Sequence, residues 1–151
     1  MNKKTIVVNS GYFNPIHPGH IECMELSKAL GDELIVIVNN DIQAEYKRNV
    51  PSFQNEQFRM DIVKALKPVD RVFLSIDKGE GSNGVMESLR IIFQKLRADE
   101  SVGKIIFAKG GDRNTGNIPE KPLCDEFNVE IIDGLGAKTH NSSDFVKHQK
   151  N

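Results

Sequence analysis

The chain has 151 residues, two cysteines and a formal net charge of -1. This length suits one domain with a single core, so we take residues 1–151 as one unit with a frayed tail at 147–151. The balanced charge predicts neither nucleic acid nor a membrane as a partner, and any anionic ligand then needs a local site. Two cysteines are too few for a disulfide framework, and no apolar run reaches the roughly 20 residues of a membrane helix. We therefore expect a soluble, cytoplasmic protein.

Five short β-branched runs alternate with longer segments of helical period. This alternation is typical of parallel strands joined by right-handed crossovers. It predicts an α/β fold, a Rossmann-like open sheet of five parallel strands with helices on both faces. The predicted strands are residues 5–9, 33–38, 69–75, 104–108 and 129–133.

Apolar residues at helical spacing predict which face of each helix is buried. Leu26 would face the sheet from the first helix, and Phe58 and Val63 would do so from the second. Because loops that follow parallel strands open on one edge of the sheet, that edge is the expected ligand site. Helices are predicted at residues 21–30, 55–66 and 84–97 and after Gly136, and loops at residues 39–51, 77–83 and 109–122.

The segment S10-G-Y-F-N-P-I-H-P-G-H20 directly follows the first predicted strand. Gly11 would let a ligand approach the main chain, and two prolines stiffen the turn. If a helix begins near His17 or Pro18, its first N–H groups form an anion site. His17 and His20 would then lie on one face and donate to the same phosphate. The segment therefore predicts a polyphosphate site that needs no Walker lysine.

Two other interpretations of the histidines are possible from the spacing. With Cys23 they form a His-x-x-His-x-x-Cys pattern that suggests zinc, but three ligands at these intervals drift too far around a helix to converge. We therefore predict no metal site and assign Cys23 to the core. The plainer alternative is a structural turn that carries two surface histidines.

The segment around the histidines resembles the glycine-x-phenylalanine-aspartate-proline-x-histidine-x-glycine-histidine signature of the cytidylyltransferase-like nucleotidyltransferases, small α/β enzymes related to class I aminoacyl-tRNA synthetases. N55-E-Q-F-R-M60 and V69-D-R-V72 are similar to the family's next helix and strand. F107-A-K-G-G-D-R113 resembles a segment of heptose-phosphate adenylyltransferases and, more distantly, of glycerol-3-phosphate cytidylyltransferases. N141-S-S-D-F-V-K147 lies where the family has a serine-threonine-threonine run.

The resemblance implies transfer of a nucleotidyl group from an NTP, with Mg²⁺ on the triphosphate, to a small phosphorylated acceptor. Pyrophosphate leaves after direct in-line attack. The main interpretation is a CTP- or ATP-dependent enzyme acting on a phosphorylated sugar or polyol, with a homodimer implied by analogy. Two alternatives stay open: a catalytically weak nucleotide-binding or regulatory protein, and an adenylyltransferase that forms a coenzyme such as NAD, FAD or coenzyme A.

The resemblance also implies roles for individual residues. His17 and His20 would hold the triphosphate and stabilise transition-state charge, Lys47 would reach the phosphates from a mobile loop, and Arg59 would lie near the acceptor. The alternative for Lys47 is a solvated side chain without a function, and the alternative for Arg59 is a surface ion pair. The nucleotide- and phosphate-binding residues implied by the motifs are Gly11, Tyr12, Phe13, Asn14, Gly19, Lys109, Gly110, Gly111, Asp112, Asn141, Ser142 and Ser143.

Three positions depart from the family's pattern. Asn14 replaces the usual aspartate of the signature, and Asn141 replaces the first serine of the closing run. The arginine that precedes this run in cytidylyltransferases has no match, although Lys138 lies close by. If the motif is aligned correctly, Asn14→Asp is expected to leave activity intact or to improve it.

Overall fold

The computed structural model describes residues 2–78, 84–110 and 118–136. Its strands are β1 (Lys4–Gly11), β2 (Glu33–Val38), β3 (Arg71–Leu74), β4 (Val102–Gly110) and β5 (Glu130–Leu135). All neighbouring strands are parallel, in the order β3-β2-β1-β4-β5. The predicted α/β class and open five-stranded sheet are confirmed.

Helices cover both faces of the sheet, as predicted. They are α1 (Pro18–Lys28), α2 (Asp41–Arg48), α3 (Glu56–Lys64), α4 (Met86–Ala98) and α5 (Lys121–Glu126). Since successive strand side chains point to opposite faces, Val7 shares a core cluster with Met24 of α1 and Val63 of α3. Its neighbour Val8 lies in the other cluster, with Leu89 of α4 and Leu123 of α5.

The prediction of a loop at residues 39–51 is wrong, because α2 occupies most of that segment. The Asn40 side chain caps its start by accepting the Gln43 N–H at 2.8 Å. Asn49 ends it in the left-handed conformation, with φ of 57°. Both asparagines carry capping signals that the sequence displays. The predicted loop at residues 109–122 also extends too far, because α5 begins at Lys121, and no helix was predicted there.

Two predicted core positions lie on the outside. Leu26 is 39% exposed and Phe58 is 59% exposed, whereas Val63 is buried as predicted. In α3 the inward position next to Phe58 belongs to Arg59, which has no exposed surface. This burial was not predicted, because arginine is rarely buried without partners. Arg59 has those partners, as described below.

Several predictions fall outside the described residues and stay predictions. They concern most of the 77–83 loop, the residues from 111 to 117, the helix after Gly136 and the tail at 147–151. Gly111, Asp112, Lys138, Asn141, Ser142 and Ser143 belong to this group. Among the helices that the structure does describe, none has the length and apolar character needed to cross a membrane.

Candidate active site

The candidate site lies at the carboxyl edge of the sheet, where β1 and β4 are neighbours. The chain leaves β1 toward β2 and β3 and returns on the other side of β1 as β4. This reversal opens a crevice outside the strand ends, which is where open α/β sheets bind ligands. Gly11 ends β1 and Gly110 ends β4, so the two predicted glycine segments meet at this edge.

His17 and His20 together cap the start of α1. His17 is the N-cap residue, and its Nδ1 accepts the Gly19 N–H at 3.1 Å. The His17 N–H in turn donates to Nδ1 of His20 at 3.1 Å. The rings stack with centroids 3.8 Å apart. The predicted helix start and the pairing of the histidines are therefore both present, as a reciprocal capping box.

This capping fixes which ring nitrogen carries the proton. A nitrogen that accepts an N–H cannot hold its own proton, so each neutral ring is protonated on Nε2. Burial and the neighbouring His17 lower the pKa of His20 from 6.5 to about 4. At neutral pH His20 is therefore an uncharged donor through Nε2. Two stacked donors at a helix N-terminus are suited to the oxygens of a phosphate chain.

The space in front of Gly11 is filled by Phe13. A Cβ added at Gly11 would lie 2.6 Å from Cζ of the Phe13 ring, so the predicted reason for this glycine, ligand access, is wrong. The Phe13 ring is buried and stands edge-on to the His20 ring, with centroids 5.1 Å apart. Gly11 thus makes room for a side chain that supports His20.

Gly19 and Gly110 also serve packing. A Cβ on Gly19 would lie 3.0 Å from Cε1 of His17, so the small residue lets the imidazole fold back over the helix end. A Cβ on Gly110 would lie 2.7 Å from Sγ of Cys23. This contact brings α1 directly against the end of β4, and burial raises the pKa of the Cys23 thiol. Within the described ranges, no group of three or more His, Cys, Asp or Glu side chains is arranged to hold a metal ion.

Arg59 lies inside the protein at this edge, with no exposed surface. Its Nη1 donates to the carbonyls of Tyr12 at 2.9 Å and Asn39 at 2.5 Å. Its Nε donates to the Gln54 carbonyl at 2.9 Å, and its Nη2 pairs with the Asp41 carboxylate at 2.6 Å. Arg59 is therefore not the surface ion pair of the alternative interpretation, because its guanidinium is buried and bonded to protein groups. Its predicted place near the acceptor stays a prediction.

Lys47 lies in the last turn of α2 rather than in a loop. Its ammonium group stands 4.4 Å from the centroid of the Tyr12 ring, a cation–π contact. Tyr12 belongs to the turn between β1 and α1, so this contact holds Lys47 beside the turn that carries the histidines.

Comparison with known proteins assigns the chain to a family. The sequence profile of the Cytidylyltransferase-like family matches residues 8–120, most of the chain. The chain belongs to the Cytidylyltransferase-like family. The resemblance proposed from the motifs is confirmed.

Several curated relatives of this chain carry the name FAD synthase. One from Thermococcus sibiricus is 40% identical over 132 residues, which cover 86% of this chain and 80% of the relative. One from Archaeoglobus profundus is 50% identical over 68 residues, and that match spans 45% of this chain and 43% of the relative. The chain thus spans less than half the length of some curated relatives that it matches.

Solved structures show the same fold. A lipopolysaccharide core biosynthesis protein from Thermoplasma volcanium has a TM-score of 0.63 and 28% identity, covering 88% of this chain and 98% of its own. A bifunctional NMN adenylyltransferase/ADP ribose pyrophosphatase from Francisella tularensis, complexed with AMP and a manganese ion, has a TM-score of 0.61 and 16% identity. That match covers 98% of this chain and 41% of the larger protein, and it supports the fold alone.

Asn14 is where this chain departs from the family signature. Its side chain is buried, donates from Nδ2 to the Ser52 hydroxyl at 3.0 Å and accepts the Gln54 N–H at 2.8 Å. The Arg48 guanidinium donates to the Asn14 carbonyl at 3.2 Å. The amide uses both its donor and its acceptor here, which a carboxylate could not do. Sequence reasoning missed these three partners because nothing in a lone loop sequence indicates what it will pack against.

On the β4 side, Lys109 forms an ion pair with Glu120 at 3.5 Å. Glu120 is buried, so the pair ties the end of β4 to the start of α5. Lys109 remains about one-third exposed. The structure therefore places this predicted residue at the correct edge but on the α5 side, while Gly110 faces α1.

Proposed function

We propose that this nucleotidyltransferase is an FMN adenylyltransferase, which moves AMP from ATP to FMN and releases pyrophosphate. The carrying observation is the stacked histidine pair at the α1 N-terminus, in which burial keeps His20 uncharged at neutral pH. The chain is also 40% identical over 132 residues to a protein named FAD synthase. The coenzyme-forming alternative is thereby favoured over a sugar or polyol phosphate acceptor. The relatives support this choice of acceptor, and the histidines support the chemistry.

The proposed reaction needs no covalent enzyme intermediate. An oxygen of the FMN phosphate attacks the α-phosphorus of ATP and forms a new P–O bond. The bond from that phosphorus to the oxygen bridging the β-phosphate breaks in line, and pyrophosphate leaves with the electron pair. The protein therefore has to hold two anionic substrates together and stabilise negative charge in the transition state.

His17 and His20 supply that stabilisation through their Nε2–H groups. Both rings are fixed by the capping box, so they need no reorganisation when the charge moves. The positive dipole end of α1 acts on the same phosphate chain, although the first N–H groups of the helix donate to His17. ATP enters as its Mg²⁺ complex, and the ion contributes charge neutralisation on the triphosphate oxygens.

The remaining predicted residues take supporting roles in this proposal. Lys47, held over the Tyr12 ring, would reach the phosphates from the α2 side. Lys109 and Gly110 would border the nucleotide from the β4 side. Gly111, Asp112 and the Asn141-Ser142-Ser143 run keep the roles implied by the motifs, as does the homodimer. These assignments are predictions.

A panel assay tests the function. The protein is incubated with Mg²⁺, each of ATP, CTP, GTP and UTP, and one acceptor: FMN, nicotinamide mononucleotide, phosphopantetheine, glycerol 3-phosphate or a heptose phosphate. Pyrophosphate release is followed, and the product with FMN is identified as FAD by chromatography. We expect turnover with ATP and FMN. Turnover only with a sugar or polyol phosphate would refute the acceptor, and nucleotide binding without turnover would favour a regulatory protein.

The variant His17→Asn separates catalysis from folding. Asparagine is among the best N-cap residues, so α1 should keep its start and the protein its melting temperature. The shorter side chain cannot place a donor where Nε2 of His17 lies. We expect a loss of kcat of about 100-fold or more, the size typical of removing one transition-state donor. Wild-type kcat in His17→Asn would refute the role of this ring.

A further inference from the structure

Arg59 joins three segments that are distant in sequence. Tyr12 lies in the turn after β1, Asn39 follows β2 and Gln54 precedes α3, and each offers one main-chain carbonyl to the guanidinium. Asp41 takes a further N–H as an ion pair. Four of the five N–H groups of an arginine are thereby used. Since the side chain is also fully buried, it has no route to a substrate and can act only through the groups it holds.

The Tyr12 carbonyl is half of a peptide unit whose other half is the Phe13 N–H. This peptide is trans, so the carbonyl and the N–H point in opposite directions. Because Arg59 holds the carbonyl inside the protein, the Phe13 N–H points away from Arg59. Among the described residues, no hydrogen bond involves this N–H.

Phe13 also has an unusual backbone conformation. Its φ is 52°, in the left-handed region, which costs a non-glycine residue roughly 1–2 kcal/mol. Such a conformation persists only where the surroundings determine it. The hydrogen bond from Arg59 to the preceding carbonyl is one of these determinants, and the Phe13 ring under Gly11 is another.

We propose that Arg59 is a positioning residue for adenylyl transfer. By holding the Tyr12 carbonyl, it directs the Phe13 N–H toward the triphosphate held by the two histidines. It also keeps the Phe13 ring against His20. This inference rests on the proposed function, and it replaces the direct acceptor contact expected for Arg59 from the family resemblance.

The chain offers a matched control on the opposite edge of the sheet. Arg97 of α4 also donates to three main-chain carbonyls, those of Gly103 at 2.6 Å, Asn128 at 2.8 Å and Phe127 at 2.9 Å. These carbonyls lie at the amino edge, where β4 and β5 begin. Arg59→Lys and Arg97→Lys therefore remove the same kind of three-carbonyl contact, and each keeps the positive charge.

The experiment compares the two variants with the wild type in three measurements. These are the melting temperature, kcat and KM with ATP and FMN, and the ATP-induced shift of the Phe13 amide resonance, recorded by ¹⁵N NMR without acceptor. We expect both variants to melt at lower temperature. Only Arg59→Lys should lose kcat, by about 10- to 100-fold, as expected for a misplacement of about 1 Å. Only Arg59→Lys should change the response of the Phe13 amide to ATP.

Wild-type kcat and a wild-type Phe13 response in folded Arg59→Lys would overturn the proposal. If Arg59→Lys does not fold, Asp41→Ala replaces it, because Asp41 has a 37% exposed side chain and its loss frees one end of the guanidinium. A several-fold fall in kcat is then expected, and an unchanged kcat would overturn the proposal. The Phe13 measurement needs only ATP, so a failure to form FAD would refute the proposed function without deciding the role of Arg59.

Discussion

The two edges of the sheet are held together in different ways. At the amino edge, polar contacts lie near the surface: Lys28 pairs with Asp70 at 2.5 Å, and Arg97 is an exposed residue. At the carboxyl edge, Arg59 is fully buried and the two histidines cap α1 from within the site. Both edges use an arginine to hold three carbonyls, so the chemistry of the contact is the same. What differs is access to water.

This difference indicates which edge of the sheet needs accurately positioned side chains. Exposed ion pairs contribute up to about 1 kcal/mol and tolerate rearrangement, because water can replace either partner. A buried guanidinium tolerates almost no rearrangement, since each lost hydrogen bond leaves a desolvated polar group without a partner. The amino edge needs only to stay folded. The carboxyl edge must also hold Phe13 and His20 in one arrangement.

The largest expected difference between the edges is their response to acid. The folded pKa of His20 is about 4, against 6.5 for an ordinary histidine, so between these values the unfolded chain binds more protons than the folded one. Stability therefore falls as the pH drops through this window, by about 3 kcal/mol in total. Protonation of Nδ1 would also break the cap. Urea unfolding from pH 8 to pH 4 measures this fall.

Asp70 at the amino edge titrates in a more acidic pH range than His20. Burial alone would raise its pKa, but the hydrogen bonds from Lys28 and the Leu34 N–H outweigh this effect and hold the pKa below 3.8. Its contribution is present above pH 3.8 and is lost only below it. In His20→Asn the fall between pH 6.5 and 4 should shrink, whereas Asp70→Asn should leave that window unchanged. A wild-type slope in His20→Asn would contradict the assignment.

A second comparison uses one glycine from each edge. In Gly11→Ala the new methyl would meet the Phe13 ring at 2.6 Å, and in Gly31→Ala it would meet the Thr5 carbonyl oxygen at 2.8 Å. Each variant should lose about 2 kcal/mol of unfolding free energy from overpacking. Only Gly11→Ala should also lose kcat, because displaced Phe13 no longer supports His20. Equal kcat in the two variants would show that the Phe13–His20 contact is dispensable.

The smallest expected effect is that of Asn14→Asp. The carboxylate cannot donate to Ser52, whose own hydroxyl already donates to the Gln54 carbonyl. We expect a loss of about 1 kcal/mol of stability and reduced activity, opposite to the expectation from the family pattern. The control is Asn55→Asp, where the side chain only accepts an N–H at the start of α3 and aspartate serves equally well. Wild-type stability and activity in Asn14→Asp would favour the original expectation.

The sheet could be predicted because its signal is local and repeated. Strand runs such as residues 34–38 are apolar throughout, and the spacing between runs leaves room for one crossover each. The missed helix α2 had capping asparagines at both ends, but its apolar pattern is interrupted by the buried Gln43. Gln43 is inside because it bonds to Ser75 and Asn39, partners contributed by the ends of two strands. No periodicity analysis can foresee such partners.

The histidine cap could be predicted for a similar reason, whereas the burial of Arg59 could not. His17 and His20 lie in one short motif, and the start of α1 could be read from the adjacent proline. Arg59 was predicted to lie near the acceptor or in a surface ion pair, and its burial was not foreseen, because a sequence does not show that a charged side chain points inward. Its burial depends on carbonyls contributed by Tyr12 and Asn39, which only the assembled fold brings together.

The hydrogen bond between Arg59 and Tyr12 spans 47 positions of the chain. A ribosome that makes this protein therefore releases β1 and both histidines well before the residue that secures their turn, since synthesis adds only about 5–20 residues each second. Until α3 has emerged, the nascent chain carries the complete histidine motif without the bond that orients it. The turn that carries the histidines is thus completed late, although it is encoded early.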